Sequence, residues 1–134
     1  MFIKTYLITF TVFLGIDAVW LTLIANKFYS KYLGYIMKTN VNFVAAGLFY
    51  LLFVVGLVVF SVLPALEKNS WTQALFLGGL LGLISYATYD LTNLATIKDW
   101  PLIVTIVDMV WGTVLGASVS VISYFISKKF KFTN

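Results

Sequence analysis

Cysteine and histidine are both absent from the 134-residue chain. That removes thiolate redox chemistry, zinc, iron–sulfur or haem ligation through these side chains, and any imidazole general base. A bound metal would have to be a hard cation held by oxygen; no metal and no cofactor is expected. Arginine is missing too, so the nine basic residues are all lysines, and the formal net charge of +4 rests on them alone. All nine lie outside the apolar runs, where they read as headgroup anchors rather than as a nucleic-acid surface. Charge of either sign is scarce, at 10% of residues, against about a quarter in an ordinary soluble domain.

What fills the chain instead is hydrocarbon. Hydrophobic residues make up 61%, and the mean hydropathy is +0.98. Apolar runs of about 20 residues match the length a helix needs to cross ~30 Å of bilayer core. Their hydrophobicity is continuous rather than alternating, which excludes a transmembrane β-barrel. The expected fold is an all-α membrane protein: one domain over residues 1–134, a four-helix antiparallel bundle with spans at about 5–25, 43–66, 71–97 and 101–126.

Lys4 before the first run gives it the look of a signal peptide, but Asp17 interrupts its apolar core and no small-x-small cleavage site follows. Between the first two spans, Asn26–Asn40 carries Lys27, Lys31 and Lys38 on one helical face, with Phe28, Tyr32, Tyr35 and Ile36 largely beside or opposite. This pattern suits an amphipathic helix in the membrane interface; a looped connector bearing belt aromatics fits equally. Pro64 and the run Glu67-Lys68-Asn69-Ser70 end the second span, and Lys98-Asp99-Trp100-Pro101 turns the third into the fourth, with Pro101 suited to a first helical turn. Trp71 and Trp100 read as interface anchors.

Three of the five acidic residues lie inside spans: Asp17, Asp90 and Asp108. A charged side chain at that depth costs about 2.5–3.5 kcal/mol on insertion scales, so it needs a reason. Asp17 lies ten residues before Lys27, Asp90 eight before Lys98, and Asp108 ten after it. In an up-and-down bundle the first and third connections share one side of the membrane, so at 1.5 Å per residue the three carboxylates converge on one layer about 12–15 Å below that surface. Asp17-Ala18-Val19-Trp20 and Asp108-Met109-Val110-Trp111 repeat an Asp-x-Val-Trp-like pattern, strictly Asp-x-Val-Trp in each case, on spans that run in opposite directions. An i,i+3 spacing sets carboxylate and indole on one face, and the pair is suggestive of an inverted repeat.

Small residues indicate which faces pack. Gly112 and Gly116 lie one and two turns beyond Asp108, while Gly78, Gly82, Tyr86 and Asp90 follow each other at steps of four. Small-xxx-small faces permit close helix approach in membranes, so spans three and four are expected to meet through these glycines and bring Asp90 to Asp108. No lysine lies inside the spans to neutralise the acids. Protonation, neutral donors or a bound cation remain, and at least one of the three is expected to carry a proton. Donors at hand are Tyr86, Tyr89, Thr92, Asn93 and the indoles of Trp20 and Trp111. The plain alternative is a hydrogen-bond network that fixes helix packing; the functional one is a proton- or ligand-binding site whose aromatic faces suit a cation.

At Tyr89-Asp90-Leu91-Thr92-Asn93-Leu94-Ala95-Thr96, Trp100-Pro101 and Val107-Asp108-Met109-Val110-Trp111-Gly112 the chain resembles the small bacterial inner-membrane proteins grouped as domain of unknown function 2177. The resemblance covers essentially the whole chain and implies a four-span inner-membrane protein, with no biochemical activity established for the family. The expectation is therefore a multi-pass protein of the bacterial inner membrane whose partner is the bilayer, not nucleic acid. It would bind or transport a proton, a small cation or a small molecule, as a homodimer if it transports. A membrane enzyme using an aspartate pair on lipid and an accessory subunit with structural acids are the alternatives. An intramembrane aspartyl protease is disfavoured, because Thr105-Ile106-Val107 stands where its Gly-x-Gly would precede Asp108. Lysine counts favour cytoplasmic termini by only five against four.

Overall fold

A computed structural model describes residues 2–38 and 40–130; Lys131 of the basic tail lies outside them. Uninterrupted apolar sequence leaves the backbone to satisfy its own hydrogen bonds, and only helices do so within one segment. Among the described residues there is accordingly no strand. In chain order come α1 (Phe2–Trp20), a π-helical turn (Leu21–Ala25), α2 (Asn26–Leu33), a short 3-10 turn (Gly34–Ile36), α3 (Phe43–Leu57), a second π-helical turn (Val58–Val62), α4 (Leu63–Lys68), α5 (Trp71–Thr96) and α6 (Leu102–Phe130).

These make four helical stretches long and apolar enough to cross a membrane: Phe2–Ile36, Phe43–Lys68, Trp71–Thr96 and Leu102–Phe130. Their outer faces carry large apolar side chains in the open, including Ile3, Leu23, Phe43, Val44, Leu52 and Phe76, each more than two-thirds exposed. A surface of that kind is tolerable only against hydrocarbon. The protein is an integral membrane protein.

The first stretch outruns its predicted span. Its 35 residues would extend about 52 Å if fully α-helical, well beyond a ~30 Å hydrocarbon core. The amphipathic connector is thus the continuation of the first helix. Its aromatic side packs against the α5–α6 turn: Leu33 joins Trp100 and Val104, flanked by Phe28, Tyr29 and Tyr32. The Tyr35 hydroxyl donates to the Asp99 carbonyl at 2.8 Å. Trp100, read from the sequence as an interface anchor, is instead 7% exposed. Its indole N–H donates to Thr105 Oγ1 at 3.0 Å, and that hydroxyl in turn donates to the Asp90 carbonyl at 3.3 Å. An indole whose one donor finds a partner can be buried at little cost. Trp71, by contrast, is about half exposed.

Local chemistry explains the other boundaries. Asn42 caps α3 by accepting the Ala45 N–H at 3.1 Å, and Ser70 caps α5 through the Gln73 N–H at 3.3 Å, each satisfying a donor that a helix start leaves open. Asn69, at φ 52°, ends α4 in the left-handed conformation that asparagine tolerates, and Ser70 N–H reaches back to the Ala65 carbonyl at 3.0 Å. Pro64 has no N–H to give the carbonyl one turn earlier. The wide turn directly before it absorbs the misfit, with Leu63 N–H bonding Val58 O five residues back.

The tightest pairing is α5 on α6, through the four glycines. A methyl group on Gly82 would overlap the Gly112 carbonyl and stand 3.4 Å from Gly116 Cα; one on Gly116 would overlap the Gly78 carbonyl and stand 3.2 Å from Gly82 Cα. The Tyr86 ring would lie 2.5 Å from a methyl on Gly112. Side chains of any size would hold these backbones apart. On the other flank of α6, Leu115 and Val119 meet Phe13 of α1 and Phe53, Val54, Leu57 and Val58 of the second span in the main apolar core.

Candidate functional site

The buried stripe of the first helix runs through Thr5, Thr9, Phe13, Asp17 and Trp20, then Ala25 and Leu33. Steps of three or four keep an α-helical face in line, whereas a step of five, from Trp20 to Ala25, would swing it about 140° away. The π-helical turn at Leu21–Ala25 takes up one extra residue and sets the register back by about 100°. Its consequence is Tyr29. Twelve residues after Asp17, it would lie about 120° from it on an unbroken α-helix and lies within about 20° after the correction.

Tyr29 and Tyr50 are the residues that sequence reasoning missed, and each holds one of the acids. The Tyr29 hydroxyl donates to Asp108 Oδ1; the Tyr50 hydroxyl, on α3, donates to Asp17 Oδ2 at 2.6 Å. Both acids are nearly enclosed, at 5% and 4% exposure for Asp17 and Asp108. Asp90 is fully buried, and neither of its carboxyl oxygens has a donor among the described residues. What it faces is Asp108, an acceptor like itself unless one of the two carries a proton. Tyr86 lies within electrostatic reach of all three acids.

The two Asp-x-x-Trp segments meet face to face. Trp20 and Trp111 stack with ring centroids 4.4 Å apart and planes 8° from parallel, and Tyr29 packs edge-on against Trp20. The Trp111 indole N–H is buried without an acceptor among the described residues. The arrangement is pairwise matched: on each side an aspartate takes a tyrosine hydroxyl from another helix, and its tryptophan stacks on the other's.

A family model described as predicted membrane protein, DUF2177, matches residues 2–125. The chain belongs to that family. No curated protein and no solved structure matches it. In this DUF2177 chain the remaining sequence candidates take more peripheral places. Tyr89 is 56% exposed and packs edge-on against Trp100. Asn93, half-buried, lies beside Tyr89 and gives no hydrogen bond to Asp90. Gly78, Gly82, Gly112 and Gly116 form the α5–α6 contact itself and so fix how closely Asp90 and Asp108 approach. No cluster of His, Cys, Asp or Glu suited to a metal ion occurs among the described residues.

Tyr29, Tyr86, Tyr89 and Asp108 line a cavity of about 300 Å³ together with Leu33 and Met37. A second, of about 340 Å³, is lined by Phe49, Ser85, Tyr86 and Tyr89. Chemically, the site offers carboxyl oxygens in excess of donors, no fixed positive charge, and aromatic walls.

Proposed function

We propose that this chain binds a proton or a small cation at the three-aspartate layer, as the charge-carrying step of binding or transport across the bacterial inner membrane. The donor count carries the reading. Asp17 and Asp108 each accept from a tyrosine, while Asp90 is wholly buried and has no partner but Asp108 among the described residues. An isolated ionised carboxylate in such surroundings is prohibitive, so the Asp90–Asp108 pair is completed by something positive, either one proton held between them or a cation. Coupled acids of this kind titrate as a pair. Tyr29 and Tyr50 hold the flanking carboxylates in place, and the Trp20–Trp111 stack gives the layer an aromatic floor. Transport through so small a chain would use a homodimer, with both termini in the cytoplasm.

The stacked indoles are a built-in reporter. In nanodiscs, the tryptophan emission of the wild type should shift on titration through neutral pH. Asp90→Asn, which keeps the shape and removes the titrating oxygen, should abolish the shift while circular dichroism still reports a folded helical protein. A folded Asp90→Asn protein that titrates as the wild type does would overturn the proposal in favour of purely structural acids.

A further inference from the structure

The segment that lays Tyr29 on Asp108 is built to bend at one end and to let go at the other. Its near end is the π-helical turn at Leu21–Ala25. Helices kink at such wide turns, and Leu21, Leu23 and Ile24 are exposed, so a bend there disturbs little packing. Its far end is held by Leu33 against Trp100 and Val104 and by the Tyr35 hydroxyl on the Asp99 carbonyl. The 3-10 turn stops at Ile36 and α3 starts at Phe43, so residues 37–42 give slack of up to about 20 Å before α3 is pulled along. Lys27, Ser30 and Lys31 are exposed on the outer side of α2, and lysines there set it at the level of headgroups and water. On its inner side Tyr29 and Leu33 face Tyr86, Tyr89 and Asp108 across the cavity of about 300 Å³.

From this placement we infer that α2 is a gate, closed over the Asp90–Asp108 pair when the pair holds its proton or cation and swung aside at Leu21–Ala25 when the pair is empty. The inference rests on the proposed proton- or cation-binding reading and adds how that site is reached and shut. Charge sets the direction. Asp90 is fully buried and Asp108 is 4% exposed. An occupied pair keeps at most one negative charge, which the Tyr29 hydroxyl on Asp108 can stabilise. An empty pair has two. The titratable groups that face it are Tyr29 from α2 and Tyr86 and Tyr89 from α5; Tyr86 also senses Asp17 of α1 and Tyr50 of α3. Among them no cation offsets the second charge. Keeping two facing carboxylates dry is prohibitive, whereas water admitted from the headgroup side solvates both. Emptying the pair therefore opens α2 and filling it closes α2. By linkage, the closed position holds the occupant more tightly.

Because the chain has no cysteine, introduced pairs can be spin-labelled without background. Ser30→Cys on α2 and Lys98→Cys beside the α5–α6 turn, both at exposed positions, report the gap in nanodiscs by double electron–electron resonance. A single short distance is expected at about pH 5, and by about pH 9 a longer one should grow at least about fivefold in population. Asp90→Asn with Asp108→Asn keeps the shape and cannot ionise, and should hold the short distance at both pH values. Tyr35→Phe removes the tie to Asp99 without touching an acid, and should raise the long-distance population at neutral pH by about two- to tenfold. A long distance that grows toward acid, or that grows with pH in the doubly substituted protein as in the wild type, would overturn the gate. One unchanging distance in both the wild type and Tyr35→Phe, with the pH-driven emission shift intact, sinks the gate and leaves the proton-binding reading standing; loss of the emission shift as well sinks both.

Discussion

Gly82→Ala is the substitution whose outcome the α5–α6 contact fixes most sharply. The added methyl would overlap the Gly112 carbonyl and stand 2.8 Å from the carbonyl carbon. Since carbon atoms rest at about 3.5–4 Å, the helices must part locally by on the order of 1 Å. The obstacle is backbone on the facing helix, which has no rotamer to move. Overpacking of that kind costs about 1–3 kcal/mol, against up to about 1 kcal/mol gained from alanine's better helix propensity. Gly15→Ala and Gly47→Ala are the controls, because a methyl at either position meets nothing within 4 Å, and only the propensity gain applies. Reversible unfolding in bicelles, followed by circular dichroism, should therefore rank Gly47→Ala at or above the wild type and Gly82→Ala below it by about 1–2 kcal/mol. The same displacement separates Asp90 from Asp108, so the emission shift with pH should change as well. Equal stability of Gly82→Ala and Gly47→Ala would refute the close glycine contact and with it the geometry of the acid pair.

Tyr29→Phe removes the donor on Asp108 and should cost about 1.5–3 kcal/mol if that carboxyl is ionised, less if it is protonated; unfolding in bicelles separates the two. Deleting the exposed Leu23 should turn the wide turn at Leu21–Ala25 into an ordinary one and, because Tyr29 then stands eleven residues after Asp17, keep it within about 20° of the Asp17 face; the emission shift with pH should stay that of the wild type, and an emission change like that of Tyr29→Phe would refute the register argument. Asp90→Leu exchanges an unpartnered buried acid for hydrocarbon and should unfold no more easily than the wild type, by a margin near zero to about 3 kcal/mol in its favour; a marked loss of stability would show that Asp90 holds the fold together. Asn69→Ala forces an ordinary residue to φ 52° and removes the acceptor of the Tyr124 hydroxyl at 3.3 Å, and should cost about 1–3 kcal/mol in the same assay.

Hydropathy alone determined the four spans, because a helix needs a run of about 20 apolar residues to cross the bilayer, and the other architecture that closes its own hydrogen bonds there, a β-barrel, would need alternating strands that this sequence lacks. The short turns were equally local: Asn69-Ser70 and Asp99-Trp100-Pro101 carry their own stop and cap chemistry. Steps of four also made Gly78, Gly82, Gly112 and Gly116 visible as two faces, while the common layer that depth arithmetic assigns to Asp17, Asp90 and Asp108 stays an expectation of the sequence.

Which residue answers which acid was decided only in three dimensions. Tyr50 reaches Asp17 because α3 packs on α1, and a span that is apolar all round does not announce which side it turns to its neighbour. Tyr29 reaches Asp108 because a single π-helical turn resets the helix by one residue, and a reading at 3.6 residues per turn points it elsewhere. Trp100 looked like an interface anchor because nothing local shows that α2 folds over it and Thr105 takes its N–H. Periodicity along each helix is local; the rotation of one helix against another comes from packing, and that rotation gives Asp17 and Asp108 a tyrosine hydroxyl each and leaves Asp90, among the described residues, only Asp108.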